Sequence, residues 1–159
     1  MTDASVVFEV MQRTAAETRD REVLGRAVVE ALATALPHAT WTGIYWLEGR
    51  ELHLGPYVGP ATEHTRIPVG TGVCGTAVAE GADQVVDDVR ELENYLACSV
   101  GVRSELVVLI RHGDNILGQF DLDADSVGAF GEDDHRLVRA VADAFGGLVN
   151  AGSSGAANS

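Results

Sequence analysis

Two thiols and three carboxylates are the residues most able to do chemistry. Cys74 closes the run Ile67-Pro68-Val69-Gly70-Thr71-Gly72-Val73-Cys74, and Cys98 follows an acidic stretch. Glu105, Asp121 and Asp123 come next, each on a strand-like segment. A cysteine in such a chain is more often a small buried hydrophobe than a nucleophile, and its surroundings decide which. Cys74 falls at the start of a helical pattern, where backbone N–H groups favour a thiolate. Cys98 follows Asp87, Asp88, Glu91 and Glu93, which disfavour one. Local electrostatics therefore favour Cys74. Strand parity puts Asp121 and Asp123 on one face and Phe120 and Leu122 on the other. Trp41 and Tyr45 form a second one-faced pair, which either packs a core or walls a pocket for a small apolar or sulfur-containing group.

Two familiar motifs fail on context. Gly70-Thr71-Gly72-Val73-Cys74-Gly75 spells the dinucleotide fingerprint, but Pro68 sits in the preceding strand and only a short helix follows before Gly81. The turn still leads into a helix N-terminus whose N–H groups suit an anion such as a carboxylate. Asp121, Asp123, Asp125 and Glu132 imitate a calcium loop, yet Ser126 stands where the sharp turn needs glycine, and a strand precedes it. The five histidines, His38, His53, His64, His112 and His135, show no ligand spacing, and with the two cysteines they give a metal site little support.

The elements that must position these groups follow from periodicity. Val6, Val7, Val10 and Met11 mark a first helix. Asp20 caps a second, with Leu24, Ala27, Val28, Ala31, Leu32 and Ala35 at three-four spacing before Pro37. Trp41, Gly43 and Tyr45 share one face of a strand and Ile44 and Trp46 the other. A turn at Glu48–Glu51 leads into Leu52-His53-Leu54, and Gly55–Pro60 is expected to interrupt regular structure. Thr76 to Glu80 predicts a short helix, Val85-Val86 a brief strand, and Asp87 to Tyr95 an acidic, partly helical loop. Leu106–Ile110 and Ile116–Phe120 form a hairpin across His112-Gly113-Asp114-Asn115. Glu132 opens a last helix with a stripe of Leu137, Val138, Val141, Phe145 and Leu148. Helices, antiparallel strands and a terminal helix make an α+β fold, helices packed on an antiparallel sheet. Residues 1–150 form one domain and 151–159 a small, polar tail expected to be disordered.

Bulk properties narrow the partners. The chain has 159 residues and a formal charge of −13, which argues against nucleic acid and anionic membranes. No apolar run approaches the roughly 20 residues of a membrane span. The first residues, Met1-Thr2-Asp3-Ala4-Ser5, carry no signal-peptide pattern, and two cysteines do not make a secreted disulfide scaffold; a cytoplasmic location with free thiols is expected.

Taken together, the sequence resembles the free methionine-(R)-sulfoxide reductases, which are stand-alone GAF-fold enzymes. The likeness rests on Trp41-Thr42-Gly43-Ile44-Tyr45, Leu54-Gly55-Pro56-Tyr57-Val58-Gly59-Pro60, the run from Arg66 to Ala77, Leu96-Ala97-Cys98, Ser104-Glu105-Leu106-Val107-Val108 and Asp121-Leu122-Asp123. It implies a GAF-like sheet with helices packed on it. It also implies Cys98 as nucleophile and Cys74 as resolver, and Glu105, Asp121 and Asp123 binding the substrate ammonium and protonating its oxygen. Trp41 and Tyr45 would enclose the methyl end, and backbone N–H groups at Gly72 and Val73 would take the carboxylate. The substrate would be free methionine sulfoxide, no cofactor would be bound, and a thioredoxin-like thiol would regenerate the enzyme; a homodimer is compatible. Where family members usually have a third cysteine, this chain has His64, in a loop one residue longer. Leu109 and Ala124 replace a frequent proline and serine. The alternative is a non-catalytic GAF sensor of a small ligand or of redox state, against which stands the lack of an effector domain within these residues.

Overall fold

The computed structural model describes residues 4–92 and 101–149. Cys98, the end of the acidic loop at Glu93 to Tyr95, and the expected tail lie outside them. The elements are α1 (Ala4–Ala15), α2 (Arg21–Ala35), β1 (Trp41–Glu48), β2 (Glu51–Val58), β3 (Arg66–Pro68), α3 (Gly72–Glu80), β4 (Gln84–Val86), β5 (Ser104–His112), β6 (Asn115–Ala124) and α4 (Glu132–Leu148). A 3-10 turn, Val89–Glu91, follows β4. The six strands form one antiparallel sheet in the order β3-β2-β1-β6-β5-β4. The expected α+β arrangement is what forms.

Local chemistry explains the elements. The Asp20 carboxylate accepts from the Glu22 and Val23 N–H groups, satisfying two of the donors a helix start leaves over. α2 stops at Ala35, just before Pro37. Strand alternation then divides the core in two. Ile44, Trp46, Leu106, Val108, Ile110, Phe120 and Leu122 meet α1, α2 and α4, with Phe145 of α4 against Trp46 and Phe120. Burying each such large side chain contributes roughly 1.5–3 kcal/mol. Trp41, Tyr45, Val107 and Leu109 lie on the opposite face, with Val73, Cys74 and Ala77 of α3. Because β3 and β4 occupy opposite edges, the chain through α3 crosses this second face. It is not the tight crossover between neighbouring parallel strands that a dinucleotide site requires.

Two irregularities set the register. Between Gly43 and Tyr45 the pairing of β1 with β2 slips, so that Gly43 faces Tyr57 while Tyr45 faces Leu54. The expected break at Gly55-Pro56 is therefore a bulge inside a longer strand: β2 runs through to Val58, with the donor-less proline at the irregularity where no ladder bond is needed. In the β5–β6 hairpin, Arg111 pairs with Ile116 but Ile110 pairs with Gly118, leaving Leu117 as the extra residue.

The outer edge of β5 is completed by side chains. β4 pairs only from Val107 to Glu105. Beyond it, the Leu109 N–H donates to the Asp83 carboxylate at 2.9 Å, and Arg139 of α4 donates to the Leu109 carbonyl at 2.6 Å. Arg139 also holds both Asp83 oxygens, at 2.7 and 2.8 Å, and the His135 ring lies 2.8 Å away. Burial pulls the Asp83 carboxyl upward, but the bonds from His135, Leu109 and Arg139 outweigh it and leave the group below its ordinary value.

Candidate active site

The face under α3 is a small grid of paired residues. Across β1, β6 and β5, Trp41 pairs with Asp123 and Asp123 with Glu105; Gly43 with Asp121 and Asp121 with Val107; Tyr45 with Gln119 and Gln119 with Leu109. Glu105, Asp121 and Asp123 are 2%, 0% and 0% exposed. Burial first, then the negative charges of Asp121 and Asp123 and hydrogen bonds to both, hold the Glu105 carboxyl well above its ordinary value. Three carboxyl groups in so dry a place cannot all be ionised, and burial with the neighbouring negative charge favours the protonated form of Glu105.

Cys74 stands directly above this cluster. Its thiol donates to Glu105 Oε2 at 3.7 Å, and it is 3% exposed. The expected short helix begins earlier than Thr76, at Gly72, whose φ of +67° only glycine adopts without strain. That start puts Gly72, Val73 and Cys74 in the first turn, where the helix dipole is positive, with Thr71 at the cap making no side-chain bond to the helix. Gln119, which the sequence reading passed over, joins the two layers: its Nε2 donates to the Cys74 carbonyl at 3.1 Å. Its even spacing from Asp121 and Asp123 is the signal that could have found it.

The aromatic pair is packed in the core of this face and also acts as a clamp. Trp41 stacks on Tyr57 at 5.3 Å and on Tyr45 at 6.2 Å between ring centroids. Gly43 makes room for this: a Cβ there would stand 2.5 Å from the Trp41 ring and 2.7 Å from the Tyr57 Cβ. Both polar tips hold the loop before β3, since Trp41 Nε1 donates to the Pro60 carbonyl at 3.0 Å and the Tyr45 hydroxyl to the His64 carbonyl at 2.8 Å. Between α3, β4 and the 3-10 turn, a cavity of about 590 Å³ is lined by Gly72, Val73, Thr76, Glu80, Gln84, Val86, Glu91 and Leu92. That volume suits a small molecule.

The sequence profile of the GAF domain matches residues 18–149. Over most of its length the chain also superimposes on a free methionine-R-sulfoxide reductase from Neisseria meningitidis solved in complex with its substrate. The two are 31% identical, the alignment covers 97% of this chain and 95% of that one, and the TM-score is 0.84. The chain belongs to the GAF-domain family, among the free methionine-R-sulfoxide reductases. The reduced fRMsr of Staphylococcus aureus is similar at 32% identity, with 94% and 97% of the two chains covered and a TM-score of 0.85. The free methionine-R-sulfoxide reductase of Escherichia coli is 38% identical over 104 residues, 65% of this chain; the match spans 62% of the E. coli protein.

Within the family frame, every expected site residue among the described ones lies on one face. Glu105, Asp121 and Asp123 meet each other, Cys74 meets Glu105, and Trp41 and Tyr45 stack on each other in the core of that face. His64 presents its carbonyl to the Tyr45 hydroxyl. Among the described residues no helix is long and apolar enough to cross a membrane.

Proposed function

We propose that the protein reduces free L-methionine-(R)-sulfoxide to methionine through a thiol cycle. The observation that carries this reading is Glu105, buried between Asp121 and Asp123 and bonded by the Cys74 thiol. A sulfoxide oxygen departs only when protonated, and a carboxylic acid kept neutral by its neighbours can supply that proton. The remaining negative charge of Asp121 and Asp123 suits the ammonium of a free amino acid. Trp41 and Tyr45 enclose the methyl end. The first-turn N–H groups of Gly72 and Val73 take the substrate carboxylate, a requirement that a residue within a peptide cannot meet.

The Cys98 thiolate attacks the sulfoxide sulfur as Glu105 protonates the oxygen. The oxygen then passes to Cys98 as a sulfenic acid, and methionine leaves with two more electrons than the sulfoxide held. The Cys74 thiol displaces water from the sulfenic acid to form a Cys74–Cys98 disulfide, which a thioredoxin-like dithiol reduces. With His64 in place of a third cysteine, Cys74 is the resolving thiol within the chain. The resemblance to the family supports Cys98 as the nucleophile; the helix-start position of Cys74 suits a thiol that must attack a sulfenic acid.

The test is turnover of purified protein with each sulfoxide epimer, using dithiothreitol or a thioredoxin system. The expected result is methionine from the R epimer alone, lost in Cys98→Ser and slowed with thioredoxin in Cys74→Ser. No turnover of the R epimer, or full turnover in Cys98→Ser, refutes the proposal. Retention of one sulfoxide per chain with both thiols unchanged by mass would instead establish a ligand sensor.

A further inference from the structure

The thiol and carboxylates above also make a donor set of mixed softness. One ligand atom each from Cys74, Glu105 and Asp121 lies within 4.8 Å of the others, and all three residues are buried. A tetrahedral zinc ion with Zn–S about 2.3 Å and Zn–O about 2.1 Å holds sulfur and oxygen about 3.6 Å apart. The Cys74 Sγ to Glu105 Oε2 separation is 3.7 Å, so an ion can replace the shared proton with almost no movement of either side chain. A second observation points to a ligand at the same place. Gln119 is 0% exposed, its amide nitrogen is spent on the Cys74 carbonyl, and its Oε1 accepts no hydrogen bond among the described residues. A buried amide oxygen left unpaired costs about 1–3 kcal/mol, and a water on a metal ion beside Cys74 would supply its missing donor.

We propose that Cys74, Glu105 and Asp121 bind a borderline-soft divalent cation, Zn²⁺ or Cd²⁺, with a water as the fourth ligand. One thiolate with two carboxylates selects such an ion over Mg²⁺ or Ca²⁺, which want six or more oxygens. The cation occupies the place that the substrate ammonium would take, so it competes with methionine sulfoxide; this consequence rests on the reductase reading, while the binding itself does not. A metal-bound Cys74 is also withheld from disulfide formation, which makes the site a reversible block on a thiol cycle. The α3–β4 cavity neighbours the site in sequence and register: Val73 in its wall precedes Cys74, and Val86 in its wall pairs with Glu105.

The test is titration of the reduced protein with Cd²⁺, following the thiolate-to-cadmium charge-transfer absorbance, with Zn²⁺ competition giving its affinity. One Cd²⁺ per chain is expected, with the band lost in Cys74→Ser and kept in Cys98→Ser. Asp121→Asn should weaken binding by at least about tenfold, since even outer partners of a metal site cost that much. Free methionine sulfoxide should displace the ion from Cys98→Ser, in which no turnover can draw Cys74 into a disulfide. A band that survives Cys74→Ser, disappears in Cys98→Ser, or fails to form in the wild type overturns the site. Binding that passes these checks but ignores methionine sulfoxide overturns only the competition, and with it the placement of the ammonium.

Discussion

Replacing Glu105 by Gln should stabilise the folded protein while destroying its chemistry. The neutral amide has the shape of the protonated acid and can donate to Asp121 or Asp123 as that acid does. In the unfolded chain Glu105 ionises around its ordinary value of 4.5, whereas in the fold burial and two neighbouring carboxylates keep it protonated well above that. Over the interval between those two titrations the unfolded state holds one proton fewer than the folded state. Wild-type stability therefore falls as pH rises, by about 1.4 kcal/mol per pH unit from this group. The Gln variant has no such slope. Chemical denaturation of both proteins under reducing conditions, from about pH 5 upward, should show the variant's advantage widening by that amount per unit until the folded-state carboxyl itself titrates. In thermal unfolding the same gap is about 3 to 5 °C per unit for a domain of this size. Loss of the proton donor should lower sulfoxide turnover about 10²- to 10⁴-fold at the same time. A stability difference that stays flat across the range, or that narrows as pH rises, refutes a protonated Glu105.

Three other perturbations separate the parts of the site and its support. Tyr45→Phe removes the bond to the His64 carbonyl and should cost about 1 kcal/mol in urea unfolding, with a raised KM because the loop is freed while the ring remains. Gly43→Ala drives a methyl into the Trp41 ring and the Tyr57 Cβ; a loss of about 1–3 kcal/mol and a change in tryptophan fluorescence should report the displaced rings. Asp83→Ala leaves the Leu109 N–H without its partner and Arg139 with only the Leu109 carbonyl and Asp143, and should cost about 1–3 kcal/mol at neutral pH. Because the Asp83 carboxyl sits below its ordinary value, its contribution is present above that value and is lost on acidification. The penalty of the variant should therefore shrink in urea titrations carried to acid pH.

Much of the site was legible because strand parity is a local property. Trp41 with Tyr45 and Asp121 with Asp123 share faces whatever else the chain does, and the Asp20 cap and the α4 stripe are equally local. What could not be read was set by contacts across the sheet. β2 continues through Gly55-Pro56 because a bulge accommodates the proline, whereas composition alone marks those residues as a break. α3 starts at Gly72 because the chain must turn sharply off β3, so the glycines belong to the helix entrance as well as to a turn. Gln119 reads as one polar residue in an apolar strand; its role exists only once the Cys74 carbonyl lies above it.

The extra residue at Leu117 acts like a shift of reading frame in the β5–β6 hairpin. Counted from the tip, where His112 pairs with Asn115, uninterrupted pairing would set Glu105 opposite Leu122 and turn its carboxyl toward the oily layer beneath the helices. The bulge takes Leu117 out of the count and moves every later pair by one, so Glu105 faces Asp123 instead. The acid cluster therefore depends on how the hairpin disposes of one residue near its tip. Related chains can vary the Gly113-Asp114 tip in sequence, and losing Leu117 itself would keep Ile110 opposite Gly118 and Glu105 opposite Asp123, whereas pairing Leu117 into the ladder would leave all three acids in the sequence and dissolve the cluster. An alignment that scores residue identity alone would miss that change, because it is one of register and not of sequence.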